Sequence, residues 1–222
     1  MGKTIAIIPA RGGSKRLPNK NIKLLCGIPL LAYSIKYALT NLDKIDDVYV
    51  SSDNENIKQV ALKYGAKVID RPAELCGDSE PTITALKHAL EVINDEIDTV
   101  VLLQATNPLR PKDLLKNALN VFNEKKLNSL FTVSRDHKKL GKIIDHKFKP
   151  FNYKIGQRSQ DLEPLYYENG LLFITKTSLI KKDIIFNELS YPLIVNHKFT
   201  EIDIDTQEDF EYAEYILKNS NE

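Results

Sequence analysis

The sequence predicts an α/β protein built on a doubly wound, mostly parallel sheet, and three observations support this prediction. Apolar runs typical of buried strands alternate with segments whose apolar residues recur at helical spacing. The run DTVVLLQ is apolar on both faces, as expected of a central strand covered by helices on each side. The first run, Ile5 to Pro9, leads directly into a loop, and open sheets of this class bind their ligands at the loops that follow the strand ends.

The predicted elements follow one another in a regular order. After the first loop, IPLLAYSIKYAL predicts a helix and DDVYVSS predicts a second strand. The segment DNENIKQVALKYG predicts the next helix, with Asp53 as its N-cap and Gly65 as its C-terminal cap. AKVID, DTVVLLQ and SLFTVS predict further strands, separated by the helices TITALKHALEVI and KDLLKNALNVFNEK. NGLLFITKTSLI and LIVNHKFTEIDID predict ordered structure near the end, before the amphipathic helix TQEDFEYAEYILKN. This alternation is typical of units with right-handed crossovers.

Between residues 135 and 168 the alternation stops. This segment has weak periodicity, many charges and three tyrosines. Segments of this length without regular structure are typically lids, oligomerisation arms or disordered stretches. We therefore expect one main domain formed by residues 1–134 and 169–222, with 135–168 as an insertion outside its sheet.

The composition excludes several classes of function. The 31 basic and 30 acidic residues leave a net charge of +1, so no general attraction to nucleic acid or to a membrane surface is expected. No run approaches the roughly 20 apolar residues that a membrane span needs. Cys26 and Cys76 do not form a metal or redox motif, which favours free thiols in a reducing compartment, and the cytoplasm is the expected location. Anion binding must therefore come from local clusters of charge.

The first loop, ARGGSKRLPNKN, is such a cluster. Arg11, Lys15 and Lys20 surround a pair of adjacent glycines, and Ser14 follows that pair. Neither the spacing of a phosphate-binding P-loop nor a G-x-G-x-x-G pattern is present. Two backbone N–H groups that can approach a phosphate closely remain, with basic side chains beside them. The alternative is a solvated basic turn, and the position of the loop after the first strand favours an anion site.

The second cluster is the acidic pair in EIDID. Asp203 and Asp205 share one face of an extended segment, about 6.5–7 Å apart along it, while Ile202 and Ile204 face the core. Two carboxylates together with water and substrate phosphate are a typical ligand set for magnesium. The alternative is structural, because Asp205 or Thr206 is also placed to cap the last helix. With the basic loop, the acidic pair predicts a site for a magnesium nucleotide.

These motifs carry a resemblance to a known family. IIPARGGSKRLPNKN resembles the signature of the acylneuraminate cytidylyltransferases, the CMP-sialic acid synthetases, and VSSD, RPAEL, LLQATNPLR, YENG and DIDT follow in that family's order. The resemblance implies a Rossmann-like fold of the nucleotide-diphospho-sugar transferase type, with 135–168 as the dimerisation arm of a homodimer. The implied reaction is magnesium-dependent transfer of CMP from CTP to the anomeric hydroxyl of an anionic nine-carbon 2-keto sugar acid, with release of pyrophosphate.

The resemblance also implies roles for individual residues. The implied catalytic residues are Arg11, Lys15, Lys20 and Asp205, and the implied magnesium ligands are Asp203 and Asp205. The implied nucleotide-binding residues are Ala10, Gly12, Gly13, Ser14, Asn21, Arg71, Thr82 and Gln104. The implied acceptor-side residues are Arg158, Gln160, Tyr166, Tyr167 and Asn169. Simpler alternatives remain for three of these residues: Arg71 as a surface arginine, Gln104 as a partner of backbone groups at the sheet edge, and Thr82 as a helix cap.

The acceptor side departs from the family's pattern. Many relatives carry an RRQ-L-P-like stretch whose second arginine is positioned to bind the sugar carboxylate, whereas this chain has QRSQDLEP, with Ser159 at that position. Arg158 is the expected substitute. RSQDL resembles the pseudaminate-type relatives and YENG the neuraminate type, so pseudaminate and legionaminate stay open as acceptors. The cytidylyltransferases of the eight-carbon acid Kdo also start with an ARxxSxRLP loop, and GGSKRLPNKN and YENG weigh against that alternative. A catalytically silent nucleotide-binding protein is a further alternative, and the presence of both aspartates argues against it.

Overall fold

A computed structural model describes residues 2–220 and shows a seven-stranded sheet with helices on both faces. Each helix and strand that the alternating pattern predicts is present. The strands are β1 (Lys3–Pro9), β2 (Leu24–Leu25), β3 (Ile28–Pro29), β4 (Asp47–Ser52), β5 (Lys67–Asp70), β6 (Ile97–Leu102), β7 (Ser129–Asp136), β8 (Gly141–Ile144), β9 (Lys147–Pro150), β10 (Leu165–Lys176) and β11 (Tyr191–Ile194). The helices are α1 (Leu30–Leu39), α2 (Glu55–Lys63), α3 (Thr82–Val92), α4 (Leu114–Glu124), α5 (Thr177–Ile180) and α6 (Gln207–Lys218).

The main sheet has the order β11-β7-β10-β6-β1-β4-β5. Strand β10 runs antiparallel to both of its neighbours, whereas the other six strands of this sheet run in one direction. The predicted doubly wound, mostly parallel sheet is therefore confirmed. The carboxyl ends of β1, β4, β6 and β7 meet at one edge, where sheets of this class bind ligands.

Both faces of the sheet are buried, as the apolar runs predict. Along β1, Ile5 and Ile7 pack on the side covered by α3 and α5, while Ala6 and Ile8 pack on the side covered by α1, α2 and α4. All four side chains are fully buried. Alternate residues of one strand thus enter two different cores, which is the packing of a central parallel strand. Within residues 2–220, no helix is long and apolar enough to cross a bilayer.

A third apolar cluster positions the C-terminal segment. Phe210 and Ala213 of α6 pack with Leu17 of the first loop and with Ile202 and Ile204. Both isoleucines are buried, which confirms that they face the core. The cluster therefore holds the two neighbouring aspartates beside the first loop.

The cap of α2 differs from the prediction. Asn54, not Asp53, caps this helix, because the Asn54 side chain accepts a hydrogen bond from Ile57 N at 3.2 Å. Asp53 instead accepts a hydrogen bond from Gly12 N at 2.9 Å and thereby fixes the first loop. Gly65 follows the helix with a φ of 90°, which confirms its predicted place at the C-terminal end.

Helix α6 begins with a capping box. Thr206 Oγ1 accepts a hydrogen bond from Asp209 N at 3.2 Å, and Asp209 Oδ2 accepts one from Thr206 N at 2.8 Å. Of the two caps that the sequence allowed, the structure uses Thr206. The carboxylate of Asp205 therefore takes no part in the capping hydrogen bonds.

The insertion starts and ends within the main sheet. Residues 135–136 belong to β7 and 165–168 belong to β10, where Arg135 pairs with Tyr166. Between these ends, β8 and β9 form a separate hairpin. Asn152 fixes the base of the hairpin, since its side chain accepts from Leu140 N at 2.8 Å and donates to Lys138 O at 2.9 Å. The main sheet thus extends two residues into the start of segment 135–168 and four residues into its end.

The two cysteines are free thiols, as their spacing predicts. Cys26 is exposed and Cys76 is half-buried. Burial raises the pKa of the Cys76 thiol, although the nearby Arg71 opposes that shift.

Candidate active site

The carboxyl ends of β1 and β6 open into a cavity of about 510 Å³, which we call the basic cavity. Basic side chains outnumber acidic ones in its lining: Arg11, Lys15, Arg16, Lys20 and Arg71 against Asp78, Glu80 and Asp205. The lining includes ten of the residues predicted from the sequence, namely Ala10, Arg11, Ser14, Lys15, Lys20, Asn21, Arg71, Thr82, Gln104 and Asp205. The fold therefore gathers residues from across the chain into one cationic site.

Lys20 joins the first loop to the C-terminal segment. Its side chain is buried, and Nζ donates to Ile204 O and to Asp205 Oδ1, both at 2.8 Å. Arg16, which the sequence analysis did not single out, donates from Nη2 to the other oxygen of Asp205 at 2.5 Å. Asn21, also buried, donates to Arg11 O at 2.9 Å and so fixes the backbone of the loop. One carboxylate therefore binds two cations, and the loop is held from both ends.

Asp78 is a further residue that the sequence analysis missed. One of its carboxylate oxygens lies 2.9 Å from Nη1 of Arg11, and the other accepts a short hydrogen bond from Lys15. The Lys15 hydrogen bond, aided by the charges of Lys15 and Arg11, lowers the pKa of Asp78 despite a desolvation penalty. Asp78 is thus an internal anion beside the two cations predicted to hold phosphate.

Arg71 is not a surface arginine. The side chain is 7% exposed and lines the basic cavity. Its buried Nε has no hydrogen-bond partner among the described residues. Buried donors are normally satisfied, so an unpaired guanidinium N–H at a cavity wall favours a ligand acceptor there. The surface alternative considered for this residue is therefore wrong.

The two adjacent glycines of the first loop, Gly12 and Gly13, lie outside the basic cavity and differ in their surroundings. The N–H of Gly12 is donated to Asp53, and neither Gly12 nor Gly13 lines the basic cavity. A Cβ on Gly12 would lie 2.8 Å from Cβ of Asn54, whereas a Cβ on Gly13 would meet open space. Glycine is therefore required at 12 for close packing against the start of α2, and the Gly12 N–H, already bonded to Asp53, is not free to bind a phosphate. Thr82 lines the cavity but does not cap α3, whose N-cap is Pro81 without a side-chain bond.

A second cavity, of about 650 Å³, lies between β7, β10 and the segment before α6, and we call it the acidic cavity. Four carboxylates line it, on Asp136, Glu168, Glu201 and Asp203. Its basic lining residues are Arg135, Lys138 and His137. Three residues of the predicted acceptor side and metal pair also line it, namely Tyr167, Asn169 and Asp203. The acidic cavity is therefore the candidate acceptor site.

Gln104 lines both cavities and separates them. It follows β6, and its position requires the glycine at 170, where φ is 72°. A Cβ at Gly170 would lie 2.9 Å from Gln104 Oε1 and 2.8 Å from Asn107 Oδ1. Asn107 is buried and donates to Ile202 O at 2.8 Å, next to the acidic pair. The YENG glycine thus allows the wall between the two cavities to pack.

A buried arginine holds this wall from behind. Arg110 donates from Nε to Leu171 O at 2.6 Å, from Nη1 to Ser34 Oγ at 3.0 Å and from Nη2 to Gln104 O at 2.8 Å. Burial lowers the pKa of Arg110 to about 10, so the guanidinium is still charged at neutral pH. Its partners are neutral oxygens, and the ring of Tyr37 lies 5.7 Å away. Arg110 therefore fixes the Gln104 backbone relative to β10 and α1. The Gln104 carbonyl is satisfied in this way, while its side chain faces the cavities.

Asn169 has a structural role that the sequence did not predict. Its Oδ1 accepts from Thr132 Oγ1 at 2.6 Å and from Leu171 N at 3.2 Å, and its Nδ2 donates to Ser134 Oγ at 2.9 Å. These bonds connect β7 and β10 where their register shifts, between Glu168 and Phe173. The side chain of Asn169, a predicted acceptor-side residue, is thus hydrogen-bonded within the protein at both its oxygen and its nitrogen.

Three other acceptor-side predictions are not supported within this chain. Arg158 is exposed, pairs with Asp161 at 2.7 Å and does not line the acidic cavity. Gln160 is exposed in the same turn and also lies outside that cavity. Tyr166 is absent from its lining as well, whereas Tyr167 lines it and places its hydroxyl 3.5 Å from Thr200 O. The insertion lacks periodicity, so sequence alone did not show where these side chains lie.

The acidic pair lies at the boundary between the cavities. Asp205 lines the basic cavity and Asp203 lines the acidic one. Residues 2–220 contain no cluster of three or more His, Cys, Asp or Glu side chains suited to a metal. Magnesium does not require such a cluster, because one or two carboxylates suffice when substrate phosphate and water supply the other oxygens. The donor set of Asp203 and Asp205 therefore fits magnesium in the presence of a nucleotide.

Solved structures share this fold. The structure of CMP:2-keto-3-deoxy-manno-octonic acid synthetase complexed with CTP matches with a TM-score of 0.73 at 15% identity, covering 97% of this chain and 98% of that one. The 4-diphosphocytidyl-2C-methyl-D-erythritol synthase of Anaerococcus prevotii matches with a TM-score of 0.67 at 17% identity, covering 98% and 99% of the two chains. At these identities the likeness concerns the fold alone.

Sequence relatives are closer. The family described as Cytidylyltransferase matches residues 5–221. A pseudaminic acid cytidylyltransferase of Campylobacter jejuni is 36% identical, covering 99% of this chain and 98% of the relative. An N-acylneuraminate cytidylyltransferase of Streptococcus agalactiae is 34% identical over 94% of this chain, and one of Escherichia coli is 34% identical over 99% of it. This chain spans about half the length of these two N-acylneuraminate enzymes, 52% and 53% respectively.

The fold, the basic cavity and these relatives define an enzyme of the nucleotidyltransferase class. Within that class, the chain belongs to the cytidylyltransferase family. The family resemblance predicted from six short motifs is therefore confirmed.

Proposed function

We propose that this enzyme transfers CMP from CTP to the anomeric hydroxyl of a nine-carbon 2-keto sugar acid and releases pyrophosphate. The observation that supports this proposal is the pair of cavities separated by Gln104, one rich in cations and one lined by side chains that can bind a polyhydroxylated acid. The relatives are named for pseudaminic acid and for N-acylneuraminate, both in accord with such an acceptor. We further propose a homodimer in the cytoplasm.

The basic side chains neutralise the triphosphate in this proposal. Arg11 and Lys15 exchange the Asp78 carboxylate for phosphate oxygens, and Lys20 stays fixed by Ile204 O beside the reacting phosphate. The acceptor hydroxyl oxygen then forms a bond to the α-phosphorus while the bond to the bridging oxygen of pyrophosphate breaks. Pyrophosphate leaves, and the hydroxyl proton passes to water. Such transfers depend mainly on positioning and on charge neutralisation, so no covalent enzyme intermediate is required.

Asp203 and Asp205 are the proposed magnesium ligands. When bound, magnesium supplies charge stabilisation at the phosphate and favours deprotonation of the attacking hydroxyl. One of the two carboxylates lines each cavity. The segment that carries them is held in place by α6, which begins with the capping box. If magnesium binds Asp205, it would share that carboxylate with Arg16 and Lys20, and an ion pair weakened in this way would leave its cation available to the triphosphate.

The insertion supports the proposed homodimer. Four large apolar side chains in and beside the β8–β9 hairpin are highly exposed: Ile143 at 79%, Phe148 at 55%, Phe151 at 65% and Ile155 at 86%. Large exposed apolar side chains concentrated in one short segment favour a surface that a partner covers. Residues Arg158 and Gln160, which lie outside the acidic cavity of their own chain, are on the same segment. Light scattering of the purified enzyme measures the association, and a monomer at micromolar concentration would contradict it.

The test of the function is a panel of acceptors. Purified enzyme with CTP and magnesium is assayed for pyrophosphate release with N-acetylneuraminate, legionaminate, pseudaminate and Kdo, and with chelator in parallel. Turnover with a nine-carbon acid, lost on chelation, is the expected result. Turnover with Kdo alone would replace the proposed acceptor with an eight-carbon acid. Measurable CTP binding without turnover on any of the four would favour a binding protein.

A further inference from the structure

We infer that Arg135, rather than Arg158, is the specificity-determining residue that binds the carboxylate of the acceptor. This inference rests on the proposed function, because it takes the occupant of the acidic cavity to be a sugar acid. Arg135 was not among the site residues predicted from the sequence. It lies near the carboxyl end of β7, opposite Tyr166 of β10, and lines the acidic cavity.

The charge of the cavity requires a cation. Four carboxylates line it, and an entering carboxylate would be repelled by them unless a positive group lies within reach. The lining groups that are always or usually cationic at neutral pH are Arg135 and Lys138. Arg158 is not among them, and its guanidinium is already bound to Asp161.

Arg135 is also the cation whose donors are unused. Its Nε is buried and has no hydrogen-bond partner in residues 2–220, and Nη2 makes a single contact of 3.5 Å with Leu162 O. None of the described carboxylates forms an ion pair with it, although the neighbouring cations of the basic cavity are all paired or buried. A guanidinium held on a strand with open donors is ready to accept a ligand anion without first breaking a bond within the protein.

The chemistry of the two candidate cations favours the arginine. A carboxylate matches the planar fork of a guanidinium, which donates two parallel hydrogen bonds. Lys138 is exposed in the loop after β7 and presents a single strongly hydrated charge on a flexible stem. Because Arg135 is paired with Tyr166 of β10, its backbone position is fixed, which a site that selects one acid needs.

The test compares the sugar acid with its carboxamide. In the wild-type enzyme the acid is the better substrate, and Arg135→Met should raise the acceptor KM about 10- to 100-fold for the acid while changing that for the carboxamide little. The KM for CTP should stay within about twofold, and Arg135→Lys should recover part of the acid preference. Arg158→Ala tests the rival assignment of the carboxylate to the insertion, and Lys63→Met, which removes an exposed cation of α2 outside both cavities, is the control that should leave the acceptor KM unchanged.

Each outcome decides the matter. An unchanged acceptor KM in Arg135→Met, or an equal rise for acid and carboxamide, overturns the inference, and a rise confined to Arg158→Ala assigns the carboxylate to the insertion instead. If Arg135→Met shows no thermal unfolding transition and is therefore not folded, Arg135→Gln, which keeps a polar side chain at this position, is used for the same comparison. Absence of turnover in the wild-type enzyme with every acid contradicts the proposed function, whereas wild-type turnover with insensitive Arg135 variants contradicts this inference alone.

Discussion

The two cavities treat charge in opposite ways. In the basic cavity, Arg11, Lys15 and Lys20 are each paired with a carboxylate of the same chain, Asp78 or Asp205. In the acidic cavity carboxylates predominate, and Arg135 has no anionic partner among the described residues. The cations of the basic cavity are therefore already neutralised by carboxylates of the same chain, whereas Arg135 in the acidic cavity is not.

This difference in the pairing of the cations indicates how each cavity can recognise its ligand. A triphosphate entering the basic cavity exchanges one set of anions for another, so the cations stay ordered before the nucleotide arrives. Asp78 is 43% exposed at its side chain, so solvent screens its ion pairs and displacing it costs little. The four carboxylates of the acidic cavity should instead repel anions, and under the inference drawn above a sugar acid binds there because its carboxylate reaches Arg135.

The largest effect should come from the boundary between the sites. Asp205→Ala should lower kcat about 1,000-fold or more, because it removes a proposed magnesium ligand and leaves Arg16 and Lys20 without their carboxylate partner. Pyrophosphate release measures kcat, and a melting temperature within a few degrees of wild type shows that the fold is kept. Glu208→Ala, an exposed change in the first turn of α6, is the control. Near-normal turnover of Asp205→Ala would make the metal assignment wrong.

An intermediate effect should come from the wall that the sites share. Gly170→Ala places a Cβ within 3 Å of both Gln104 and Asn107, at a φ of 72° that alanine rarely adopts. Because Gln104 lines both cavities, kcat/KM should fall about tenfold or more for CTP and for the acceptor together. Steady-state kinetics with each substrate varied in turn is the measurement. Gly156→Ala has a similar φ of 88° but meets no atom within 4 Å, so it separates backbone strain from collision. A loss for one substrate only would show that the wall is not shared.

The smallest effect should come from the internal anion. Asp78→Asn removes the charge that competes with the nucleotide, so the KM for CTP should fall about two- to fivefold, as expected for exposed ion pairs. The acceptor KM should not change. Glu80→Gln alters another carboxylate of the basic cavity that forms no ion pair in the described chain, and it should leave the CTP affinity as it is. A weaker affinity in Asp78→Asn would mean that Asp78 contacts the nucleotide productively.

Much of the fold and the basic cavity was predictable from the sequence because the signals are local. Strands and helices alternate in the order seen, and the loop after β1 and the Asp203–Asp205 pair follow from apolar runs and spacing. The cap of α2 shows the limit of such signals, since Asp53 and Asn54 are adjacent and both suit a cap. Asp53 does not cap the helix because its carboxylate accepts a hydrogen bond from Gly12 N, 41 residues away in the sequence.

The rest depends on contacts between distant residues. Asp78 lies in the loop before α3 and meets Arg11 only in the folded chain. The run SLFTVS predicts a strand that ends at Ser134, whereas β7 continues through Arg135, which pairs with Tyr166 of β10. Arg110 stands in a short loop segment, NPLR, without periodicity, so nothing in the sequence indicated that it would be buried against Gln104. Arg158 was predicted to lie at the acceptor because of its position in a family motif. In the structure it forms an ion pair with Asp161 of the same turn.

The shared wall at Gln104 has a consequence for inhibitor chemistry. A cytidine phosphonate occupying the basic cavity and a sugar acid mimic occupying the acidic cavity would lie on either side of one side chain, at the position where the new bond forms. A short covalent link between them would convert the second binding event into an intramolecular one, with an effective concentration in the millimolar range or above. Such a compound would draw selectivity from both cavities, whereas a nucleotide analogue alone would address only the basic cavity.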